Sequence, residues 1–425
     1  REQDVFVPGK TRIPLNVPTY GAPEVIEALD SLLSTWVTMG KKVRKFEGMF
    51  AEYVGQDYGV MTNSGSSANL LALSALNLQP GDEVITPALT WATTVFPIAQ
   101  VGAVPVLVDV DRETYNISPE AIERAITPRT KAIMPVHLLG NPCDMTAIMD
   151  IARIHRLFVI EDACEAHGAE YHGQKVGSFG DLATYSFFFS HHLTGIEGGI
   201  VLTSLPMWQN VLRSMRAHGW IREMIDKESI ALENPDIDPR FLFTTVGYNF
   251  RPTEIQGAFL IHQLPRLEGF IEHRRDLAGY WNRVFRQDQE FFILSEERPG
   301  TRHARFAYPF LLRPGCPFTR QALQQHLESR GVESRQIEAG NMALQPAMKR
   351  IKYQIGSSLE TSNYIHYNGF FIGCHQGIRQ AEREAVVEYV QEFLAKYRGD
   401  NIPHVPGQSY NSYKGLENQK DILHA

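Results

Sequence analysis

The sequence predicts an α/β protein with a mostly parallel sheet between two layers of helices, followed by a smaller α+β domain. Between residues 58 and 203, short apolar runs typical of buried strands alternate with amphipathic helical stretches. These runs are apolar at successive positions, as expected when helices cover both faces of a sheet. At 425 residues, the chain is long enough for two or three domains.

Apolar runs bounded by turn-forming residues predict the strands of the large sheet. They cover residues 58–62, 82–87, 104–109, 131–136, 157–162, 182–189 and 199–203. Apolar residues at helical spacing predict the helices that precede and connect these strands. They cover residues 22–33, 43–54, 66–78, 91–100, 119–126 and 144–155. Because strands and helices alternate, most of the strands are expected to run parallel.

Changes in composition divide the chain into four parts. Residues 1–20 are polar and rich in proline and predict an arm, and residues 21–265 form the large domain. Residues 266–398 predict the small C-terminal α+β domain, and residues 399–425 a polar tail. The elements of the small domain are a strand at 306–312, a short strand from 331, and helices at 321–330 and 381–397.

Composition and charge argue against several classes of function. The net charge of −7 does not suit a surface for nucleic acid or anionic lipid. No apolar run approaches the roughly 20 residues that span a bilayer, and the first residues lack a signal-peptide pattern. The scattered cysteines favour a reducing compartment over a disulfide framework; they are Cys143, Cys164, Cys316 and Cys374. We therefore expect a cytoplasmic protein that binds neither nucleic acid nor membranes.

The most informative stretch is residues 184–199. Its apolar run predicts a buried strand, which ends in His191 and His192 and then in a loop closed by a glycine pair. Open α/β sheets place their chemistry at strand ends, so both histidines are candidate site residues. Considered alone, they fit a polar edge to a core strand better, because buried histidines are usually only hydrogen-bonded.

Three further features favour a functional site. Residues 63–68 join a strand to a helix with small residues, which is typical of a phosphate site; the alternative is a plain helix cap by Ser66 or Ser67. Asp162 ends an apolar strand and needs a cationic partner, either a protonated pyridine nitrogen or a structural ion pair. Trp91 follows another strand end, where it can stack on a flat ring or join the core. Together these features predict a site for pyridoxal phosphate.

Five motifs in a fixed order carry a specific resemblance. They are Ser64-Gly-Ser-Ser-Ala-Asn, Pro87 with Trp91, Val159-Ile-Glu-Asp-Ala-Cys-Glu-Ala-His-Gly, Gly177-Ser-Phe-Gly-Asp, and Tyr185-Ser-Phe followed by Glu197-Gly-Gly. The sequence resembles the nucleotide-sugar aminotransferase family of fold-type I pyridoxal-phosphate enzymes over about residues 15–395. This resemblance implies an aspartate-aminotransferase-like fold, whose large three-layer α/β/α domain binds the cofactor.

The sequence departs from the aminotransferases at His191, which occupies the position of their Schiff-base lysine. Histidine cannot form an imine, but it transfers protons near neutral pH. The stretches 190–199, 216–220, 247–252 and 368–375 resemble the sugar 3-dehydratases of the family. This implies dehydration of a nucleotide-linked 4-keto hexose with non-covalently bound pyridoxal and pyridoxamine phosphate. L-Glutamate would be the amino donor and yield 2-oxoglutarate, and the other products would be ammonia and a 3-deoxy-4-keto sugar.

The resemblance also implies roles for individual residues at the cofactor. His191 is the expected base, and His218 is a second candidate for proton transfer. Asp162 is expected at the pyridine nitrogen and Trp91 against the ring. Glu165 is expected at the ring hydroxyl, where relatives often carry glutamine. The residues expected at the phosphate are Gly65, Ser66 and Ser186.

A loop containing Asn249 and Arg251 crosses, in relatives, to the site of the partner subunit. The resemblance therefore implies a homodimer with shared active sites, in which Asn249 lies at the cofactor. Arg251 is expected to bind the glutamate carboxylate through paired hydrogen bonds, although a surface or capping role is the alternative. His192 and Trp36 complete the expected substrate contacts.

Three other functions stay open at this point. One is an aminotransferase that works without the lysine and releases a 4-amino sugar. Another is a non-catalytic relative that binds the cofactor or a sugar nucleotide. The third, a reductase-dependent dehydratase, requires an iron–sulfur cluster and hence four grouped thiolates. Because the cysteines are isolated, we expect neither a cluster nor another metal. The sequence leaves the nucleotide and the sugar undetermined.

Overall fold

The computed structural model describes residues 6–398, and an eight-stranded sheet forms its centre. Residues 1–5 of the predicted arm and the whole predicted tail, 399–425, lie outside the described residues. The strands of this sheet are β1 (Tyr58–Thr62), β2 (Glu83–Pro87), β3 (Val104–Val108), β4 (Thr130–Ile133), β5 (Phe158–Asp162), β8 (Leu182–Ser186), β9 (Gly199–Thr203) and β14 (Gln354–Ile355). They lie in the order β1-β9-β8-β5-β4-β2-β3-β14.

The direction of the strands confirms the predicted parallel sheet. Strand β9 runs antiparallel to its neighbours β1 and β8. The other pairs in this sheet are parallel. Because the strands apart from β9 share one direction, their carboxyl ends meet at one edge of the sheet.

Helices precede and connect these strands. They are α1 (Ala22–Leu33), α2 (Lys41–Val54), α3 (Gly65–Ala75), α4 (Ala92–Gln100), α5 (Pro119–Ala125), α6 (Met145–His155), α7 (Pro206–Arg216), α8 (Lys227–Glu233) and α9 (Glu254–Gln263). Alternate side chains of a strand belong to opposite faces, as the pleat requires. Leu182 of β8 packs in a cluster with α3 and α7, whereas Ala183 and Tyr185 pack in a cluster with α2 and α9. The result is the predicted three-layer α/β/α arrangement.

A second, four-stranded antiparallel sheet forms the C-terminal part. Its strands lie in the order β10-β12-β15-β13 and are β10 (Phe292–Ile293), β12 (Ala307–Leu312), β13 (Ser334–Gln336) and β15 (Gly369–Gly373). The accompanying helices are α10 (Leu267–Phe285), α11 (Arg320–Ser329), α12 (Glu360–Asn368) and α13 (Gln380–Leu394). The core of this part is rich in aromatic side chains, among them Trp281, Phe285 and Phe310.

Two strands from the C-terminal part of the chain, after residue 266, pair with strands that precede this residue. Strand β14 adds an eighth, parallel strand beside β3. Strand β11 (Thr301–Arg302) pairs with β6 (Glu170–Tyr171), which also pairs with β7 (Gln174–Lys175). The C-terminal part is therefore tied to the large sheet by backbone hydrogen bonds, and the boundary near residue 265 stays a prediction.

The strand predicted over 182–189 ends earlier than expected, at Ser186. Phe187 is fully buried, whereas Phe188 and Phe189 are exposed because the chain has already turned away from the sheet. No helix within residues 6–398 is both long enough and apolar enough to cross a membrane.

The contact between α2 and α9 provides a test of packing. A Cβ atom added at Gly257 of α9 would lie 2.6 Å from the backbone nitrogen of Val43 in α2. We expect Gly257→Ala to lower the free energy of unfolding by about 1–3 kcal/mol, because the two helices must separate. Gly48 of α2 is the matched control, since no atom lies within 4 Å of a Cβ built there. Gly48→Ala should raise stability by about 0.5–1 kcal/mol. Urea unfolding measures both changes, and equal effects would contradict the packing.

Candidate active site

The carboxylate of Asp162, at the carboxyl end of β5, is held by donors from three directions. Its Oδ2 atom accepts hydrogen bonds from Asn69 Nδ2 at 2.9 Å and from Thr94 Oγ1 at 2.8 Å. Its Oδ1 atom accepts one from the backbone N–H of Cys164 at 3.2 Å. The side chain is only 4% exposed. Among the described residues none forms a salt bridge with it within 4 Å, so the carboxylate is oriented by neutral donors and is suited to a cationic ligand atom.

The amide of Asn69 is itself oriented by a neighbouring strand. Thr184 Oγ1, on β8, donates to Asn69 Oδ1 at 2.5 Å, so the amide nitrogen faces Asp162. Thr94 Oγ1 also hydrogen-bonds with Thr90 Oγ1 at 2.9 Å. The roles of these supporting residues are not predicted from the sequence. Their signal was weak: Asn69 and Thr184 are polar residues in otherwise apolar elements.

The start of α3 forms an anion cradle. Ser64 caps the helix, with its Oγ accepting from Ser67 N at 3.1 Å, so the alternative of a cap by Ser66 or Ser67 is wrong. The N–H groups of Gly65 and Ser66 lie in the first turn, where an α-helix has no acceptor of its own for them. A Cβ at Gly65 would lie 2.5 Å from Ser186 Cβ, so glycine is required for the hydroxyl of Ser186 to lie at the helix end.

His191 lies in the turn that follows β8. The backbone N–H of His191 donates to the carbonyl of Phe188 at 3.0 Å. The centroid of its imidazole ring lies 5.3 Å from the centroid of the Phe306 ring. The residue is half-buried, and its Nδ1 atom has no hydrogen-bond partner among the described residues. Burial and the nearby charge of Arg274 lower the pKa of His191 to about 3. The imidazole is therefore neutral at physiological pH and has a free nitrogen that can accept a proton.

His192 is buried more deeply than His191. It is 0% exposed, and its Nε2 atom hydrogen-bonds with the carbonyl of Ala304 at 2.9 Å. Burial, with the charge of Arg274, lowers its pKa well below the usual value. The expected substrate contact of His192 is thus at odds with the structure, because the ring points into the core and is fixed on the backbone.

Glu165 lies one turn beyond Asp162 and is 9% exposed. Its Oε2 atom accepts a hydrogen bond from the backbone N–H of Leu139 at 2.7 Å. Burial and the facing carboxyl of Glu338 raise its pKa well above the usual value. Glu165 therefore behaves as a neutral acid rather than as a carboxylate, which is the property expected of a donor to a ring oxygen.

Trp91 is the residue before α4, and its side chain is 55% exposed. This excludes the alternative of a core tryptophan. The residue stands directly after the loop that follows β2, at the same edge of the sheet as Asp162. Its ring is available to stack on a ligand.

A second group of predicted residues lies on an exposed surface. Arg251 Nη2 lies 3.3 Å from His218 Nε2, and Arg251 Nε donates to Asn249 Oδ1 at 3.0 Å. Trp36 is also exposed, at 60%. The segment that carries Asn249 and Arg251 is tied to the cradle by a backbone bond from Asn63 N to the carbonyl of Phe250 at 2.9 Å. No hydrogen bond within the described chain joins this group to His191 or Asp162.

These groups fit pyridoxal phosphate. The cradle supplies N–H groups and a hydroxyl for a phosphate, and Asp162 supplies an oriented carboxylate for a pyridinium nitrogen. The exposed ring of Trp91 and the neutral acid of Glu165 suit the remaining faces of the cofactor. Fold and site together define the class of protein: a fold-type I enzyme of the pyridoxal-phosphate-dependent group.

The comparison with known proteins gives the family. Residues 20–391 match the model of the DegT/DnrJ/EryC1/StrS aminotransferase family, and the chain belongs to that family. It is 36% identical to dTDP-4-dehydro-2,6-dideoxy-D-glucose 3-dehydratase of Saccharopolyspora spinosa over 93% of this chain and 89% of the relative. It is 38% identical to GDP-4-keto-6-deoxy-D-mannose 3-dehydratase of Yersinia pseudotuberculosis over 85% of this chain and 94% of the relative.

A solved structure of GDP-4-keto-6-deoxymannose-3-dehydratase is also similar. It holds a trapped adduct described as a PLP-glutamate geminal diamine. The two structures superpose with a TM-score of 0.83, and their sequences are 34% identical. The match covers 89% of this chain and 100% of the chain in the solved structure. The fold and the resemblance to the dehydratase branch, both predicted from the sequence, are confirmed.

The lowered pKa of His191 predicts a dependence of stability on pH. The unfolded chain takes up a proton on this histidine as pH falls through about 6.5, whereas the folded protein does not until about pH 3. Stability from His191 is therefore complete above pH 6.5 and is lost as pH falls. Between pH 7 and pH 5 the wild type should lose roughly 1–2 kcal/mol more than His191→Asn. Chemical unfolding at both values measures this, and parallel losses would contradict the neutral buried imidazole.

Proposed function

We propose that this protein is a pyridoxal-phosphate-dependent 3-dehydratase of a nucleotide-linked 4-keto hexose, active in deoxysugar biosynthesis in the cytoplasm. L-Glutamate serves as amino donor, and the products are 2-oxoglutarate, ammonia and a 3-deoxy-4-keto sugar. The observation that carries the proposal is a neutral histidine, His191, at the position where aminotransferase relatives have a lysine. The sequence has no lysine between Lys175 and Lys227 that could replace it.

The bound cofactor supplies an electron sink, which weakens the C–H bond of the amino donor and the bond from C3 to the hydroxyl group of the sugar. Asp162, whose carboxylate is held by Asn69 and Thr94, would bind the pyridine nitrogen and favour its protonated form. The first turn of α3 and Ser186 bind the phosphate. Because the chain has no lysine at this position to bind the aldehyde, non-covalent contacts of this kind would retain the cofactor.

His191 moves the protons of the reaction. Its imidazole is neutral, so it can accept a proton from the donor carbon as a general base. Its position against Phe306 shields the ring from water on one side. The resulting imidazolium would then return this proton to an adjacent carbon atom. In the second half-reaction His191 would again remove a proton, and the electron pair released would expel the C3 hydroxyl group, which takes up a proton and leaves as water. His218 is proposed as a second proton carrier, because its Nε2 atom lies beside Arg251 on an exposed surface.

We further propose a homodimer in which Trp36, Asn249 and Arg251 serve the partner's site. Two features support this. These residues form an exposed group in the single chain, and the surface near them is unusually apolar. Exposed apolar side chains on and after α1 include Ile26, Leu29, Leu33 and Val37, and those before Asn249 include Phe241, Phe243 and Val246.

The dehydratase proposal predicts the effect of His191→Asn. Asparagine keeps a similar shape but accepts no proton, so release of both 2-oxoglutarate and ammonia should fall by about 10²–10⁴-fold. The measurement uses glutamate with 4-keto GDP-, CDP-, UDP- and dTDP-sugars, with products identified by mass. The exposed His155 provides the control, because His155→Asn should leave both rates unchanged.

Three outcomes would contradict this proposal. A 4-amino sugar as product would indicate the aminotransferase alternative. Absence of cofactor conversion with glutamate would indicate the non-catalytic alternative. Borohydride reduction that joins the cofactor covalently to the chain would show that an amine of the protein binds the aldehyde.

The shared site predicts complementation between two inactive variants. His191→Asn and Arg251→Ala should each be inactive, but their mixed dimer contains one site with both residues intact. Co-expression and random assembly should therefore restore about one quarter of wild-type activity, since half of the dimers carry one working site of two. Purification through two different tags isolates the mixed dimer. If each chain completes its own site, the mixed dimer will be as inactive as its parents.

A further inference from the structure

Two carboxyl groups from distant parts of the chain meet beside the proposed cofactor site. Glu165 follows β5, and Glu338 follows β13 in the C-terminal part. Ile337, the residue before Glu338, packs in the same apolar cluster as Leu139, whose backbone N–H binds Glu165. This packing brings the two carboxyl groups within hydrogen-bonding reach of each other. Glu338 has a positive φ of 47°, a conformation that a residue with a side chain rarely adopts, so the surrounding structure must hold it there.

The loop that carries Glu338 is fixed at both ends. Gly340 N donates to the carbonyl of Ile337 at 2.9 Å, which closes a tight turn around Glu338. Two residues later, Met342 N donates to the carbonyl of Ala88 at 2.8 Å, in the loop that also carries Trp91. The contact between the two carboxyls is therefore built into the packing of the C-terminal part against the large sheet.

The charged groups around this pair do not neutralise it. Asp162 is close enough to raise the pKa of both carboxyls further. Arg335, on β13, acts in the opposite direction on Glu338. On the other side, the backbone N–H of Leu139 donates to Glu165 Oε2. Burial is the largest cause of the raised pKa values, so two ionised carboxylates in contact are strongly disfavoured and the pair retains one proton.

A proton on Glu165 matters for the ligand expected there. The ring oxygen of pyridoxal phosphate carries negative charge when the pyridine nitrogen is protonated, so a carboxylate beside it would repel it. A carboxylic acid donates a hydrogen bond instead, as the glutamine of related aminotransferases does. A glutamate can replace that glutamine only if it stays protonated.

We propose that Glu338 is a positioning residue that shares one proton with Glu165 and so keeps Glu165 in its neutral, hydrogen-donating form towards the cofactor's ring oxygen. This proposal rests on the proposed function for the role of Glu165. No bond other than the O–H hydrogen bond changes, and the proton stays on the pair or is donated from it to the ring oxygen. Glu338 acts through Glu165 and need not touch the cofactor itself.

The test compares Glu338→Gln, Glu165→Gln and the double variant. In Glu338→Gln the new amide can donate to Glu165 and stabilise its carboxylate, so the pKa of Glu165 falls. Its affinity for pyridoxal phosphate should then be close to that of the wild type at pH 5.5 and about tenfold weaker at pH 8. The double variant should recover affinity at pH 8 to within about threefold of the wild type, because the amide introduced by Glu165→Gln donates at every pH. Absorbance titration measures these affinities.

A second readout does not need the cofactor. Infrared spectra of the cofactor-free protein at pH 7 should show the carbonyl band of a protonated carboxylic acid in the wild type. The band should be absent from Glu338→Gln, because its amide supplies the hydrogen bond that the shared proton made. Glu388→Gln, on the exposed face of α13, is the matched control and should change neither readout.

The outcomes separate this inference from the proposed function. A wild type that fails to bind pyridoxal phosphate would overturn the proposed function, while the infrared band would still decide whether the proton is shared. A wild type that binds the cofactor, combined with a Glu338→Gln variant of unchanged affinity at pH 8, would overturn the inference. A double variant as weak as Glu338→Gln would also overturn it, since it would indicate a purely structural role for Glu338.

Discussion

The orientation of the Asp162 carboxylate is the constraint on which the site depends. Its donors come from α3, α4 and the backbone after β5, and Thr184 on β8 fixes the amide of Asn69 in turn. These elements are brought together only when the parallel sheet is assembled with its helices. The same assembly places the anion cradle at the start of α3 beside Ser186. The packing of the large sheet with its helices therefore determines the positions of Asp162 and of the anion cradle.

Burial shifts the pKa of His191 and the pKa of Glu165 in opposite directions. It disfavours the charged form of any side chain, so it keeps the imidazole of His191 free of a proton and keeps a proton on Glu165. Desolvation thus favours an unprotonated imidazole at His191 and a protonated carboxyl group at Glu165. An amine at position 191 could bind the cofactor covalently as an imine, whereas an imidazole forms no imine but can exchange protons, which is the role proposed for His191.

Much of the fold and part of the site could be predicted from the sequence. Strand and helix periodicity gave the sheet, and a polar residue at the end of an apolar run marked Asp162 and His191. His192 shows the limit of that argument, because only the structure reveals that its ring is fully buried and hydrogen-bonded to the carbonyl of Ala304. Likewise, the cap of α3 is Ser64, although Ser66 and Ser67 carry the same hydroxyl group.

The sequence by itself determined the alternating architecture, the residues at strand ends and the replacement of a lysine by His191, because each depends on local order along the chain. The tertiary structure decided which distant side chains meet. Asn69 and Asp162 are 93 residues apart, and Glu338 joins Glu165 from the C-terminal part. Desolvation and hydrogen bonding act through space, so the protonation of Glu165 and His191 follows from the packed chain and not from the order of its residues.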